Sequence, residues 1–499
     1  MGDSAKGKLM TEEAFSDMKT PDFVYDINHI RQQLGIMADK AVKATDADRY
    51  AAEYYREQHP LLWIDMAGVK PAADTLLTYL RQVGTMGFSQ QSFLVNDIEK
   101  DLQHMRQLDF DNHENTLSQV AARLEYRLTR AFLRYSLGLR YGFVQPHRVF
   151  NHLDVDKQDT LRRITIYREL FDIDIDRPDH DAVRAIMEKV SHDSIDAFLR
   201  DIQPATDYYR QLSTMLKTAA TEEDRQRIVC NMERARWRQH RPIDHSVKHV
   251  VVNIPSLHLY ACCPDSIVAM RIACGARTTK TPLLTSDIEW MEVNPQWVIP
   301  RSILEKDVAH HAGDSAYFAR NHYRIIDRET NEPQDVATVS RQMLLSGKYR
   351  VAQESGTHNS LGRLVLRFKN KFSVFLHYTS SPGVFERESR TVSHGCVRVA
   401  EPFRLARFVL TDPDEWLLER MRIAMELKPE TDRGQRYVAE HPDDEDHKKL
   451  VGYVPVKPRV PLYIIYNTIW PDENGTLRQW PDLYGYDNII WNNLQPYMQ

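Results

Sequence analysis

The chain has few cysteines, no excess of one charge and no long apolar run. Its 499 residues include five cysteines, so at least one is unpaired within the chain. Lys+Arg 65 against Asp+Glu 70 gives a net charge of −5, which disfavours nucleic-acid binding. No run of about 18 apolar residues is present, so no membrane-spanning helix is expected.

Metal-ligating patterns are also missing. No Cys-x-x-Cys pattern occurs, and the pair His245 and His249 leads into a β-branched run. In an extended chain these two imidazoles would lie roughly 13 Å apart, too far to share an ion. His310-His311 lies in a charged, loop-like stretch. We therefore predict no metal site and no cofactor.

The first residues lack the apolar core of a signal peptide. We predict that residues 1–22 form a disordered lead-in. The sequence leaves open whether a signal or membrane anchor precedes them.

The length predicts two or three domains, and 42% hydrophobic residues suffice for real cores. Residues 23–245 are predicted to form a helical scaffold, with the clearest helix over 121–139. Along the helices we expect charged residues, including Arg130 and Arg134, to face solvent. No repeat is evident.

From residue 246 onward the pattern changes to β. His249–Pro255 and Leu257–Ala261 predict paired strands, followed by a return strand over 267–274. A second hairpin is predicted from 363–368 and 372–377. The fold class is therefore α+β and multidomain, with a mainly-β domain over 246–499.

Two parts of the β domain depart from its strand pattern. Residues 301–347 are polar and irregular, and they predict an inserted lid or binding loop, or else a decorative surface insertion. Residues 411–499 form a C-terminal extension. In it we expect a helix with Asp412 as N-cap, a charged surface loop over 428–449 and a tail that packs on the β domain.

One short run carries the setting of a cysteine nucleophile. Residues 393–398 read Ser-His-Gly-Cys-Val-Arg, and His377 lies sixteen residues before Ser393 at the end of a predicted strand. A thiol with a pKa of ~8.5 needs a nearby base or cation to become an effective nucleophile. We predict Cys396 as nucleophile and His377 as base. The alternative is an inert cysteine beside a core histidine.

The neighbouring residues receive supporting roles. Gly395 permits close approach of a substrate, and the amides of His394, Gly395 or Cys396 are candidates to hold an oxyanion. Ser393 and His394 are expected to shape the turn. Arg398 is a candidate partner for a substrate carboxylate or for a structural ion pair. Two further candidates for substrate binding are Arg390 and Tyr378.

These motifs resemble the L,D-transpeptidase family, whose catalytic domain is called YkuD-like. The match is specific at His377, fifteen intervening residues and Ser-His-Gly-Cys-x-Arg. Other similar stretches are Val251–Pro255, Thr281-Pro282, Asn294–Pro300, Gly356–Gly362 and Val460–Tyr466. The resemblance implies the large Gram-negative type, with a helical scaffold, a YkuD-like β-sandwich and a capping loop. Two features depart from that type: residues 156–227 hold no clear peptidoglycan-binding module, and Tyr378 follows the histidine where some relatives have an acid or hydroxyl residue.

The resemblance also implies the function. The enzyme would cleave the bond between meso-diaminopimelate and D-alanine in a peptidoglycan tetrapeptide stem. It would then transfer the acyl group to a second stem, giving three-to-three cross-links in the periplasm. Carbapenems would acylate the cysteine. An L,D-carboxypeptidase that uses water, or a non-catalytic cell-wall scaffold, stays open, whereas the patterns of sortases and papain-like hydrolases are not found.

Overall fold

The computed structural model describes residues 26–41, 44–111, 113–159, 164–192 and 194–498. The predicted lead-in over 1–22 lies outside the described residues. In chain order the α-helices are α1 Ile27–Lys40, α2 Asp46–Arg56, α3 Ala72–Leu80, α4 Val95–Gln107, α5 Leu117–Tyr141, α6 Pro146–Phe150, α7 His180–Ser191, α8 Ile195–Asp201, α9 Asp207–Lys217, α10 Glu222–Arg236, α11 Arg301–Ile303, α12 Ser315–Arg320, α13 Arg341–Leu345, α14 Pro402–Val409, α15 Glu415–Ala424, α16 Asp432–Glu440, α17 Asp444–Lys449 and α18 Tyr486–Leu494.

The strands follow in the same order. They are β1 Ile64–Asp65, β2 Gly68–Val69, β3 Val155–Asp159, β4 Ile164–Tyr167, β5 Phe171–Asp172, β6 His249–Asn253, β7 His258–Cys263, β8 Ser266–Gly275, β9 Leu283–Val293, β10 Trp297–Val298, β11 Tyr323–Asp327, β12 Pro333–Gln334, β13 Tyr349–Gln353, β14 Leu364–Phe368, β15 Leu376–His377, β16 Thr391–Ser393, β17 Val397–Val399, β18 Tyr453–Ile465, β19 Ile469–Pro471 and β20 Leu477–Gln479. Within the described ranges, no helix has the length and apolarity needed to cross a membrane.

The first compact unit is helical. It comprises the described residues of Met1–Val149, Ile175–His240 and Gly485–Gln499. Its longest helix, α5, begins at a capping box formed by Thr116 and Gln119 and confirms the helix predicted over 121–139. A helical N-terminal region followed by a mainly-β region confirms the predicted fold class.

The prediction that charged residues along the helices face solvent is wrong for α5. Arg130 and Arg134 each donate to Asp48 Oδ1 at 2.7 Å, and the Asp48 side chain is fully buried. Burial alone would raise the pKa of Asp48, but the hydrogen bonds and charges of the two arginines outweigh it and lower that pKa. Helix α2 packs against α5 and brings Asp48 next to the two arginines. Both arginine side chains therefore form ion pairs with a buried carboxylate instead of facing solvent.

The second compact unit comprises Phe150–Asp174, in its described part, and Arg241–Tyr484. Its main sheet has the order β14-β15-β17-β8-β7-β6-β18-β9-β5, and β14 also pairs with β9. The ladder therefore closes on itself, which leaves few open edges. Both predicted hairpins are confirmed: β6, β7 and β8 pair antiparallel, as do β14 and β15.

The predicted lid is a folded insertion instead of an irregular loop. We call residues 297–353 the cap. It has its own sheet, in the order β10-β13-β11-β12, and its own apolar core. The core includes Val308, Phe318, Ile325 and Leu344, each at most 1% exposed. Because these apolar residues are separated by charged ones, the sequence has no simple period that reveals them.

One buried side chain joins the two ends of the cap. Asn359 Nδ2 donates to the carbonyl oxygens of Pro295 and Glu354, both at 2.9 Å, and Asn359 Oδ1 accepts the Leu361 amide at 2.8 Å. Asn359 is 1% exposed. Asn359 therefore links the segment that enters the cap, at Pro295, to the segment that leaves it, at Glu354.

The C-terminal extension differs from prediction at three places. Helix α15 takes Asp414 as its N-cap, not Asp412, and Asp412 has a positive φ of 44°. The predicted surface loop over 428–449 contains the helices α16 and α17. The tail forms α18 in the helical unit, where Asp487 pairs with Arg234 at 2.6 Å and Ile490 is fully buried. The predicted contact of the tail with the β domain is found at its start, where Arg277 Nε donates to the Leu483 carbonyl at 2.8 Å and the Tyr484 hydroxyl donates to the Gly275 carbonyl at 2.7 Å. From Gly485 onward the chain belongs to the helical unit.

Candidate active site

Cys396 lies in a tight turn that connects β16 to β17. The Ser393 hydroxyl closes this turn, because it donates to the Cys396 carbonyl at 2.5 Å and accepts the Gly395 amide at 3.1 Å. Gly395 has a φ of 121°, a region that favours glycine. A Cβ at Gly395 would meet no atom closer than 3.7 Å, so the backbone conformation, not lack of space, requires glycine here.

The register of the sheet places His377 beside this turn. Strand β15 runs parallel to β17, with His377 opposite Arg398 and Leu376 opposite Val397. Val397 is fully buried, whereas Cys396 and Arg398 alternate with it and are partly exposed. Paired residues project from the same face, and residues two apart along a strand return to that face, which extends the pattern of β17 back from Arg398 to Cys396. Cys396, His377 and Arg398 therefore share one face.

Burial sets the protonation of both groups. It lowers the pKa of His377 to about 3, and the nearby positive charge of Arg398 acts in the same direction. Burial also raises the pKa of the Cys396 thiol, while the main chain of Phe375 and the charges of Arg367 and Arg398 partly oppose this rise. The directions of these shifts favour a neutral imidazole and a protonated thiol in the free protein.

The orienting partner of His377 is not a side chain in the described residues. Its Nδ1 is buried and completes no hydrogen bond there. Main-chain groups of Tyr378 and Leu361 are close enough to favour the protonated ring. The ring is therefore buried with main-chain groups nearby, and these favour its protonated form when it accepts a proton.

Two arginines supply positive charge around the thiol. Arg398 is half-buried, and its Nε completes no hydrogen bond in the described part of the chain. Arg367 donates to Glu292 at 2.8 Å, and its guanidinium carbon lies 4.0 Å from the centroid of the Phe375 ring. The sequence analysis missed Arg367. The one signal in the sequence was its position in the predicted hairpin. Arg367 lies two residues after Val365, which pairs with His377, so Arg367 and Val365 project from the same face of the strand.

Other predicted site residues are engaged elsewhere. Arg390 donates to the main-chain oxygens of Ile272 and Arg387, both at 2.9 Å, and of Leu257 at 3.2 Å. Tyr378 packs on the apolar cluster formed by Ala273, Val384 and Phe385. The predicted substrate contacts of Arg390 and Tyr378 therefore find no support in these interactions.

His394 contacts the cap. Its Nε2 lies 3.1 Å from Asp307 Oδ2, and both side chains are about half exposed. Exposed ion pairs contribute ~0–1 kcal/mol, so this contact is weak. It nevertheless places a cap residue next to the nucleophile turn. That His394 shapes the turn while His377 serves as the base stays a prediction.

The amide predicted to help hold an oxyanion is also engaged. The Gly395 N–H donates to Ser393 Oγ inside the turn. The Cys396 N–H, by contrast, donates to no group in the described residues. The Cys396 amide is therefore a better candidate than that of Gly395, and the His394 N–H likewise donates to no group in the described residues.

Comparisons with known proteins identify the two parts of the chain. Residues 247–450 match the L,D-transpeptidase catalytic domain, named YkuD, and residues 48–216 match a scaffold domain. A Haemophilus influenzae protein named "Putative L,D-transpeptidase" is 26% identical over 336 residues, which are 65% of this chain. The match spans 63% of that relative's length. The chain thus carries a YkuD-type L,D-transpeptidase catalytic domain that follows a scaffold domain.

Proposed function

We propose that the protein is a peptidoglycan L,D-transpeptidase that uses Cys396 as its nucleophile. The donor is a tetrapeptide stem, and the bond cleaved joins its meso-diaminopimelate to the terminal D-alanine. The acceptor is the side-chain amine of a second stem, so the product is a three-to-three cross-link. The observation that carries this proposal is the shared face of Cys396, His377 and Arg398 within the matched catalytic domain.

The first half of the reaction forms a thioester. His377, neutral in the free protein, takes the thiol proton while the sulfur attacks the carbonyl carbon of diaminopimelate. The carbonyl electrons move to oxygen, where the Cys396 N–H stabilises the charge. The carbon–nitrogen bond then breaks, and His377 returns the proton to the leaving amine of D-alanine.

The second half repeats these steps with a new nucleophile. The acceptor amine attacks the thioester, His377 removes its proton, and the Cys396 thiolate leaves and is reprotonated. The charges of Arg367 and Arg398 favour the thiolate leaving group, because both act to lower the pKa of Cys396. Two fixed cations therefore assist a thiol that burial alone would keep protonated.

Arg398 is our candidate for recognition of a substrate carboxylate. A guanidinium binds a carboxylate through two parallel hydrogen bonds. Arg398 is half-buried beside the thiol, and Arg367, by comparison, is already paired with Glu292. The peptide stem offers carboxylates on both diaminopimelate and D-alanine, close to the scissile bond.

The cap favours transfer over hydrolysis. It contacts the nucleophile turn through Asp307 and His394, and a covered site admits less water to the thioester. With water as acceptor the same site would act as an L,D-carboxypeptidase. A non-catalytic cell-wall scaffold is the weaker alternative, because a scaffold has no need of a cysteine that lies near two arginines and next to the strand of a buried histidine. The stems are in the cell envelope, so the proposed location is the periplasm and the proposed role is cell wall biogenesis and maintenance of cell shape. Carbapenems are expected to acylate Cys396.

Product analysis tests this proposal. Purified protein incubated with disaccharide-tetrapeptide should release D-alanine and form a dimer joined between two diaminopimelate residues, identified by tandem mass spectrometry. Release of D-alanine with tripeptide as the sole second product would support the carboxypeptidase instead. Absence of D-alanine release from active, folded protein would contradict both catalytic functions.

A further inference from the structure

A loop far from Cys396 in sequence holds the nucleophile turn. We call Ala276–Thr281 the threonine loop. Thr281 Oγ1 donates to the Gly395 carbonyl at 2.8 Å, and Thr279 Oγ1 donates to the Ser393 carbonyl at 2.7 Å. The two contacts each span 114 residues of sequence, so the sequence pattern around Cys396 does not reveal them.

The hydroxyl of Thr281 has little freedom. The residue is fully buried, and its Oγ1 accepts the Gly275 amide at 2.9 Å. Gly275 is closely surrounded, since a Cβ there would lie 2.2 Å from the Thr279 carbonyl oxygen. A hydroxyl has one proton. Because Thr281 accepts from Gly275, that proton is directed at the Gly395 carbonyl.

The threonine loop is itself anchored. Lys280 Nζ contacts both carboxylate oxygens of Asp154, at 2.6 and 2.7 Å. Arg168 donates to the carbonyl oxygens of Thr278 at 2.9 Å and Lys280 at 3.2 Å. The Thr281 amide donates to the Tyr484 hydroxyl at 3.2 Å. The loop is thus held by three side chains of the second unit, those of Asp154, Arg168 and Tyr484.

The hydrogen bond from Thr281 to the Gly395 carbonyl also fixes the direction in which the Cys396 N–H points, because both groups belong to one peptide unit. In a planar trans peptide the C=O and the following N–H point in opposite directions. The Gly395 carbonyl points to buried Thr281, so the N–H of Cys396 points away from it. That N–H donates to no group in the described residues, whereas the Gly395 N–H is used by Ser393.

We propose that Thr281 is a positioning residue, which orients the Gly395–Cys396 peptide so that the Cys396 N–H can hold the oxyanion. This inference rests on the proposed acyl transfer by Cys396. When sulfur bonds to the carbonyl carbon, the negative charge forms on oxygen, and a preset donor stabilises it without reorganisation. Thr281 touches neither substrate nor thiol, and it acts through one peptide plane.

The test compares two reactions of one thiol. Acylation of Cys396 by p-nitrophenyl acetate passes through an oxyanion, but its alkylation by iodoacetamide does not. Peptide mass spectrometry measures both rates at Cys396. We expect Thr281→Val to slow acylation roughly 10- to 100-fold, somewhat less than loss of an oxyanion donor, and to change alkylation less than about twofold. Thr281→Ser keeps the hydroxyl and should restore most of the acylation rate.

Thr279→Val is the matched control. The Ser393 carbonyl also accepts the Ala276 amide at 2.9 Å, so it keeps a donor when Thr279 loses its hydroxyl. We expect a much smaller effect on acylation than at Thr281. Thermal unfolding confirms that each variant is folded, and Thr281→Ala replaces Thr281→Val if valine prevents folding.

Several results would overturn the inference. These are equal slowing of both reactions, no slowing of acylation, or a serine variant as slow as the valine variant. A wild-type protein that is alkylated but never acylated would also contradict an oxyanion donor. If acylation depends on Thr281 but no D-alanine is released from stems, the inference stands and the proposed function fails. If D-alanine is released from stems at the same rate with and without the Thr281 hydroxyl, the proposed function stands and the inference fails.

Discussion

Cys396→Ala is expected to reduce D-alanine release and cross-link formation to background. No covalent intermediate can form without the sulfur, and loss of a catalytic nucleophile costs on the order of 10⁶ in rate in a well-studied hydrolase. The fold should persist. The hydrogen bond from the thiol to the Ser373 carbonyl is weak, at 3.8 Å, so the free energy of unfolding should change by less than about 1 kcal/mol.

Cys263→Ala provides the matched control for this prediction. All five cysteines lie in the described residues and are free thiols there, and Cys263 is partly exposed like Cys396. It lies on β7, away from the nucleophile turn in the strand order, and its loss should leave both products at wild-type rates. Both products are measured by chromatography and mass spectrometry. If the Cys396→Ala protein still forms dimers at more than trace rates, Cys396 is not the nucleophile.

His377→Gln is expected to lower the rate of acyl transfer by about 10²–10⁴ at neutral pH. Glutamine fills similar space but cannot carry the proton from thiol to leaving amine. His394→Gln should lose far less, because the His394 side chain is about half exposed, whereas His377 is buried in the strand that pairs with the strand after Cys396. Steady-state assays of D-alanine release compare the two variants directly. Similar losses at both positions would contradict the assignment of the base.

The pH dependence adds a second readout. With its pKa lowered to about 3, His377 stays neutral and able to accept a proton throughout mildly acidic pH. Wild-type transfer should therefore hold its rate well below pH 6. His377→Gln must rely on thiolate, and since burial raises the Cys396 pKa, its residual rate should rise with pH through the neutral range. A wild-type rate that falls with a midpoint near 6.5 would show that His377 titrates normally.

The same shift predicts an effect on stability. Between about pH 6.5 and 3 the unfolded chain binds a proton at His377 that the folded chain does not. Folding stability contributed by this group is therefore lost as pH falls, at about 1.4 kcal/mol per unit. His377→Gln should remove that share of the acid sensitivity. Urea unfolding of both proteins at pH 7 and pH 5 measures the difference.

The elements that the sequence predicts correctly are those with local signals. Alternating and β-branched residues identify the hairpins of β6 to β8 and of β14 with β15, and helical spacing identifies α5. The motif from 393 to 398 together with His377 identifies the catalytic domain. In each case neighbouring residues carry the information.

The elements that the sequence misjudges depend on distant contacts. The cap has a core whose apolar residues are scattered among charges, so its residues look like a loop. Arg390 and Arg367 show the same limit in the site. Arg390 lies near the motif in sequence but binds main-chain oxygens, whereas Arg367 is far from the motif but acts on the thiol through strand pairing. Thr281 acts across 114 residues through one hydrogen bond.

The most direct test of the central claim is intact-protein mass spectrometry after exposure to meropenem. A carbapenem presents a strained acyl group that a competent cysteine attacks as it would attack the stem. We predict one adduct with the mass of the drug, mapped by peptide analysis to Cys396 and absent from Cys396→Ala. No adduct on folded wild-type protein, or an adduct on another cysteine that persists in Cys396→Ala, would contradict the account.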